Sequence, residues 1–246
     1  MTREELAKAR AAVVRFFKKA RVVMTPRERE RIEIADFGLA EFQRTGLALL
    51  VYVNNDRYCA KELALLPRQT CPEHRHPDVA GRPGKMETFR LRWGKVYLYV
   101  EGEPAPTSQN AKDCAGAPPH LKAKIPRGSE SYYTVFHEIE LNPGDQYTIP
   151  PNTLHWFQGG EKGAVISEFS GASRDELDVF TDPRIRRIPS LSFPLAPPRG
   201  EGAGLPAVAL AKAGEGRLGG SPKSERHPSG PEGRGRREKK KRLAEN

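Results

Sequence analysis

Residues 72–94 read PEHRHPDVAGRPGKMETFRLRWG and set His74 and His76 two positions apart in an extended stretch. Side chains at i and i+2 of a strand share a face, so both imidazoles point the same way. Pro77, Gly81, Pro83 and Gly84 then impose a loop, after which a following strand returns Glu87 to that face. Far downstream, PGDQYTIPPNTLH opens another strand at His155. Three imidazoles and one carboxylate suit a borderline divalent cation such as Mn²⁺, Fe²⁺, Co²⁺, Ni²⁺ or Zn²⁺, with coordination positions left for water or substrate. Ligands carried on separate strands require those strands to present one common face.

Strand patterns dominate the middle of the chain. GLALLVYVNN is an apolar run ending in a polar turn, and CAKELALL alternates as the next strand. FRLRWGKVYLYVEG alternates around Gly94, a position for a bend or bulge, and puts Trp93, Tyr97 and Tyr99 on one side for core or dimer packing. SYYTVFHEIEL reads as a further strand, in which His137 is a core or rim residue and not a ligand. AVISEFS follows the His155 strand. Its Glu168 sits among Val165, Ile166 and Phe169, where a carboxylate is costly unless paired or used, and this makes it the best internal candidate for a base. Residues 101–130 form a long Pro-, Gly- and Lys-bearing connection in which Cys114 and His120 are read as non-ligands.

At the N-terminus, Thr2 and Glu5 form a capping-box pattern ahead of Leu6, Ala9, Val13, Phe16 and Phe17, the apolar stripe of a helix packed on the strands or across a dimer. Residues 24–46 are mixed, with a short unassigned element around 32–37. Near the other end, SRDELDVF resembles a helical turn capped by Ser173, and Asp178 and Arg184 are placed at the cavity mouth or in a solvated salt-bridge network. Lys61 precedes His74 by thirteen positions with Pro67 and Pro72 between, so alternation does not fix its face; a lysine in a strand is ordinarily a solvated edge residue.

The motif spacings resemble those of the cupin β-barrels. Glu87 is followed by six residues and Gly94; Gly144 is followed by five residues, Pro150-Pro151-Asn152, two residues and His155. Asn152 stands where glycine is usual, and Asn tolerates a left-handed backbone. The loop from His76 to Glu87 is longer than the cupin pattern. Within the cupins, YCAKELALLPRQTCPEHRH, PPNTLHWF and SRDELDVFTDPRI are similar to the D-lyxose ketol-isomerases over residues 1–189. The resemblance implies a mainly β, jelly-roll-like barrel with a metal at His74, His76, Glu87 and His155, Mn²⁺ first among the candidates. It also implies a proton shuttle at Glu168 and a sugar-contacting Lys61, reversing the edge reading. Lys61, Glu168 and Asp178 form the implied substrate-binding set. The implied reaction interconverts D-lyxose and D-xylulose, with D-mannose and D-fructose alongside, through an enediol. Two other readings stand beside it: a cupin dioxygenase using the same ligand set, and a non-catalytic sugar-binding cupin.

Composition divides the chain into 1–45 (helix and arm), 46–189 (barrel) and 190–246 (tail). The net charge of +10 suggests a polyanion partner, yet residues 190–246 alone hold twelve Lys or Arg against six Asp or Glu, leaving +4 for the rest. That Pro/Gly-rich tail is expected to be disordered and, with no aromatics interleaved in its basic cluster and no fold to read bases, to have no specific nucleic-acid role. Cys59, Cys71 and Cys114 have no CxxC spacing, which argues against a disulfide framework or zinc ribbon and favours a reducing cytoplasm. The N-terminus has no apolar signal core and the chain no long apolar run, so neither export nor membrane association is expected. A homodimer is expected by analogy with cupin barrels.

Overall fold

The structure, a computed structural model, describes residues 1–103 and 121–187. The readings for Cys114, His120 and the tail from Ser190 lie outside these residues. Nine strands follow one another: β1 (Glu33–Ala35), β2 (Leu47–Asn54), β3 (Cys59–Leu65), β4 (Thr70–Arg75), β5 (Glu87–Val100), β6 (His137–Leu141), β7 (Gln146–Ile149), β8 (His155–Ser170) and β9 (Val179–Phe180). They form one curled sheet in the order β1-β2-β3-β8-β4-β9, with β5 against β8 and carrying β6 and β7. This is the mainly β, cupin-like architecture expected from the sequence.

The strand opening at His155 and the AVISEFS strand are one 16-residue element, β8, and not two. Its first half pairs with β4 and its second with β3, while β5 runs antiparallel to both halves. Because one strand serves two neighbours in turn, the sheet has to curl. Leu91 and Val96 are an odd number of residues apart on β5 yet both face the inner core, with Phe89, Leu98 and Val100. Register shifts at Leu91/Trp93 and Gly94/Val96 reconcile them, since each irregularity resets the alternation of side chains. Gly94, at φ +85°, sits in that distortion, and a Cβ there would fall 2.0 Å from the Gly163 carbonyl oxygen.

The N-terminal helical segment packs on the outside of the sheet. Helix α1 (Arg3–Lys19) begins with the expected capping box: Glu5 N–H donates to Thr2 Oγ1 (3.2 Å) and Thr2 N–H to Glu5 Oε2 (2.7 Å). Its stripe buries Ala9, Val13 and Phe17 against Ala48, Leu50, Ala64, Leu66 and Val165, and Phe16 meets Trp93 edge-on at 5.6 Å. The unassigned stretch holds a short second helix (Pro26–Arg31, capped by Thr25) and β1. Trp93 therefore separates from Tyr97 and Tyr99, which pack with Trp156 and Tyr133 in another cluster. The bulges split what alternation had placed together.

Two further expectations are corrected. SYYTVFHEIEL is strand only from His137; Glu130–Tyr132 is a 3-10 turn, and the backbone after it is claimed by the buried Glu73 carboxylate, which accepts from Thr134 N–H (2.6 Å) and Val135 N–H (3.1 Å). The turn Asp175–Leu177 is 3-10, and Ser173 does not cap it: its hydroxyl donates to Asp175 and accepts from Lys61 Nζ (3.1 Å). Among the described residues, no helix is long and apolar enough to cross a membrane. Gly94→Ala should lower the melting temperature by about 5 °C or more, because it adds positive-φ strain to a backbone overlap. Gly171→Ala, whose Cβ meets nothing within 4 Å, should shift it by about 1 °C at most. Parallel thermal melts check the pair, and equal shifts would contradict the close-approach argument.

Candidate active site and metal centre

Register sets the site. His74 pairs with His155 across β4 and β8, and Lys61 pairs with Glu168 across β3 and β8. Directly opposed residues of antiparallel strands share a face, so both pairs enter the same interior. The side-chain nitrogens of His74, His76 and His155 lie within 4.8 Å of one another, all three residues being buried. Each Nδ1 is engaged elsewhere: His74 donates to Pro72 O (2.8 Å), His155 to Thr153 O (2.9 Å), and His76 bonds Asp178 Oδ1 (2.5 Å). A carbonyl accepts only, so His74 and His155 carry their proton on Nδ1 and present an Nε2 lone pair.

Glu87 Oε1 lies 3.0 Å from His155 Nε2 and 3.4 Å from His76 Nε2. His155 Nε2 is fully buried without a hydrogen-bond partner. A lone pair held that close to a carboxylate oxygen is repulsive unless a positive centre lies between them, and this donor set fits a divalent cation. Burial, with the neighbouring His155 and His76, holds His74 well below the usual imidazole range, so it is neutral and ready to ligate. Burial acts the same way on His76, but Glu87 and Asp178 outweigh it and push its pKa up to about 9. Burial would raise Glu87, yet the Lys85 ammonium and His76 hold it well below the usual carboxylate range.

The other half of the cavity is a charged network. Glu168 Oε1 is 3.4 Å from Lys61 Nζ and 3.2 Å from Lys85 Nζ, and Lys85 also reaches Glu87 Oε2 at 2.7 Å. Asp175 Oδ2 binds Lys61 (3.3 Å) and Arg187 (3.0 Å), and Arg187 extends to Glu33 (2.6 Å). Against the cost of burial, the attraction of Glu168 raises both lysines and that of Lys61 depresses Asp175. Phe37, Leu47, Leu49, Leu63, Phe89, Phe157 and Phe180 complete the wall.

The expected site residues His74, His76, Glu87, His155, Lys61, Glu168 and Asp178 are thus brought together. Lys61 is no edge residue, being 2 % exposed. Asp178 lines the cavity while bonded to His76. Arg184 is directed away: it pairs with Asp182, donates to Ser129 Oγ (2.7 Å) and lies over Tyr132. His137 stays outside the cluster, bonded to Glu103 O (2.7 Å). Sequence reading missed Lys85, Asp175 and Arg187. Lys85 was within reach, since it stands two positions before Glu87 and shares its face in an extended chain. Asp175 lies within the expected SRDELDVF turn, and Arg187 stands in no motif.

The D-lyxose isomerase family profile matches residues 26–194. A D-lyxose ketol-isomerase of Cohnella laeviribosi is 59% identical over 189 residues, 77% of this chain and 97% of that protein. A D-lyxose/D-mannose isomerase of Thermosediminibacter oceani is 64% identical over 179 residues, 73% of this chain and 92% of that one. Among solved structures, Cellulomonas parahominis L-ribose isomerase superposes with a TM-score of 0.60 at 17% identity, covering 75% of this chain and 94% of that one, and shares the fold. With a matching profile and relatives above half identity across nearly their full length, the chain belongs to the D-lyxose isomerase family of sugar isomerases.

Proposed function

We propose that the protein is a divalent-metal-dependent aldose–ketose isomerase that interconverts D-lyxose and D-xylulose, and D-mannose and D-fructose, with Mn²⁺ as its cation. The observation that carries this is the meeting, in one cavity, of three imidazoles and a carboxylate with a second carboxylate held between two ammonium groups. Both named relatives bear D-lyxose in their names and one bears D-mannose. His74, His76, His155 and Glu87 would hold the cation. Once bound, it supplies Lewis acidity for the negative charge that develops on the substrate's C1 and C2 oxygens.

The protein's own groups supply the rest. Isomerisation moves a proton between C1 and C2, which Glu168 accepts and returns, while a hydroxyl proton passes between O2 and O1. Lys61 and Lys85 hold Glu168 from two sides and donate to substrate oxygens, while Ser173 and Asp175 fix Lys61. The apolar wall excludes water that would exchange the carried proton. Neither a dioxygenase nor a non-catalytic binder gives the Lys61–Glu168–Lys85 array a task. Two buried thiols, Cys59 and Cys71, are unpaired among the described residues, which supports a reducing compartment such as the cytoplasm. The proposed assembly is a homodimer.

Protein stripped with chelator should form no ketose from D-lyxose or D-mannose and should regain activity with Mn²⁺ ahead of Co²⁺, Fe²⁺, Ni²⁺ or Zn²⁺; absence of ketose with every metal would overturn the isomerase reading. Glu168→Gln should lose about 10²–10⁴ in kcat, the usual worth of a general base, while elemental analysis still finds full metal content. Metal affinity should follow the His76 proton. Below about pH 9 that imidazole is protonated in the metal-free protein, so a cation has to displace the proton. Apparent affinity should weaken by up to about tenfold per pH unit on acidification and level off above pH 9. Chelator competition from pH 6 to 10 measures it, and a flat profile contradicts the assignment.

A further inference from the structure

Two of the three imidazoles are oriented by their own local chain. His74 donates to Pro72 O and His155 to Thr153 O, each a backbone carbonyl two residues upstream. His76 differs. Its Nδ1 partner is the carboxylate of Asp178, 102 residues further along the chain, on the segment that follows β8. Both side chains are 7 % exposed, so water does not substitute for the contact.

The segment bearing Asp178 is seated against the site at several points. Phe180 pairs with His74 across β4 and β9 and stacks on its ring at 5.3 Å. Thr181 N–H donates to Glu73 O (3.1 Å) and its hydroxyl to Glu73 Oε1 (2.7 Å). Asp175 grips Lys61 and Arg187. Residue 178 is thereby held at a fixed place, and with it the ring plane of His76. A carboxylate acceptor on one imidazole nitrogen fixes the tautomer and makes the other nitrogen more basic, which a carbonyl does less strongly.

We propose that Asp178 is a positioning residue that sets the affinity of the histidine cluster for its divalent cation through His76, so that cation binding and the seating of residues 171–187 stabilise one another. The proposal rests on the metal-dependent reading above. It assigns Asp178 to the imidazole and not to the sugar. By linkage, a cation that binds the seated arrangement better must favour that arrangement in the same proportion.

The test uses the full chain, stripped of metal and titrated with Mn²⁺ and Co²⁺ in competition with a chromophoric chelator. Asp178→Ala should bind about 10–100-fold more weakly, the usual effect of removing an outer partner of a ligating histidine. Asp178→Asn, which keeps an acceptor oxygen, should lie between it and the unaltered chain. The Co²⁺ absorption bands should shift in both. Thr181→Val, which releases a different contact of the same segment, should lower the metal-free melting temperature yet keep metal affinity within about threefold, separating positioning from general loosening. Hydrogen exchange in residues 171–187 should slow on adding Mn²⁺ to the unaltered chain and respond little in Asp178→Ala. Equal affinity in the unaltered chain and both Asp178 variants, or a Thr181→Val loss as large as that of Asp178→Ala, overturns the proposal. If the unaltered chain binds no metal, the proposal and the functional reading fail together. If it binds metal in an Asp178-dependent way but converts no sugar, only the functional reading fails.

Discussion

Everything at the site depends on how β8 is paired. Its first half meets β4, bringing His155 opposite His74, and its second half meets β3, bringing Glu168 opposite Lys61. Those two β8 residues are thirteen positions apart, an odd number, so simple alternation would turn one of them out of the barrel. The distortion between Gly159 and Ala164, matched by that around Gly94 on β5, resets the alternation and returns both to the interior. One irregularity thus joins the histidine cluster and the Lys61–Glu168–Lys85 network into a single cavity.

Burying so much charge has a cost that only mutual compensation offsets. The cavity wall carries three cationic side chains, Lys61, Lys85 and Arg187, and four carboxylates, Glu87, Glu168, Asp175 and Asp178. In the metal-free protein the His76 proton brings the formal sum to zero. Under the proposed reading, a dication in place of that proton would leave the cavity at +1, a field suited to negative charge on the substrate oxygens. Preorganised charge of this kind needs rigid support, and the bonds from Ser173, Asp175, Asp178 and Thr181 to β3, β4 and Arg187 provide it.

The outer layers serve the same end. Helix α1 covers the apolar outer face around Ala48, Leu50, Ala64 and Val165, so strands whose inner face is polar at the site are still anchored by packing on the other side. On β4, Glu73 faces away from the cavity while its neighbours His74 and Pro72 shape the histidine cluster. Its carboxylate gathers Thr134, Val135 and Thr181, binding two loops to the strand that carries His74.

By itself the sequence determined the histidine cluster and the local elements. The i, i+2 histidines, the returning Glu87, the His155 motif and the capping box of α1 are short-range patterns whose geometry follows from strand or helix periodicity, and all formed as read. It also marked Glu168, because a carboxylate in an apolar strand needs a use. What only the tertiary structure decided depends on register and on contacts between residues distant along the chain. Alternation could not say which way Lys61 faces, nor that the two halves of β8 are continuous, because bulges break the parity on which such arguments rest. The partnership of Asp178 with His76, and of Asp175 with Lys61 and Arg187, spans loops whose course no local pattern encodes. Periodicity reaches only as far as an unbroken element; beyond it, packing and charge compensation choose the partners.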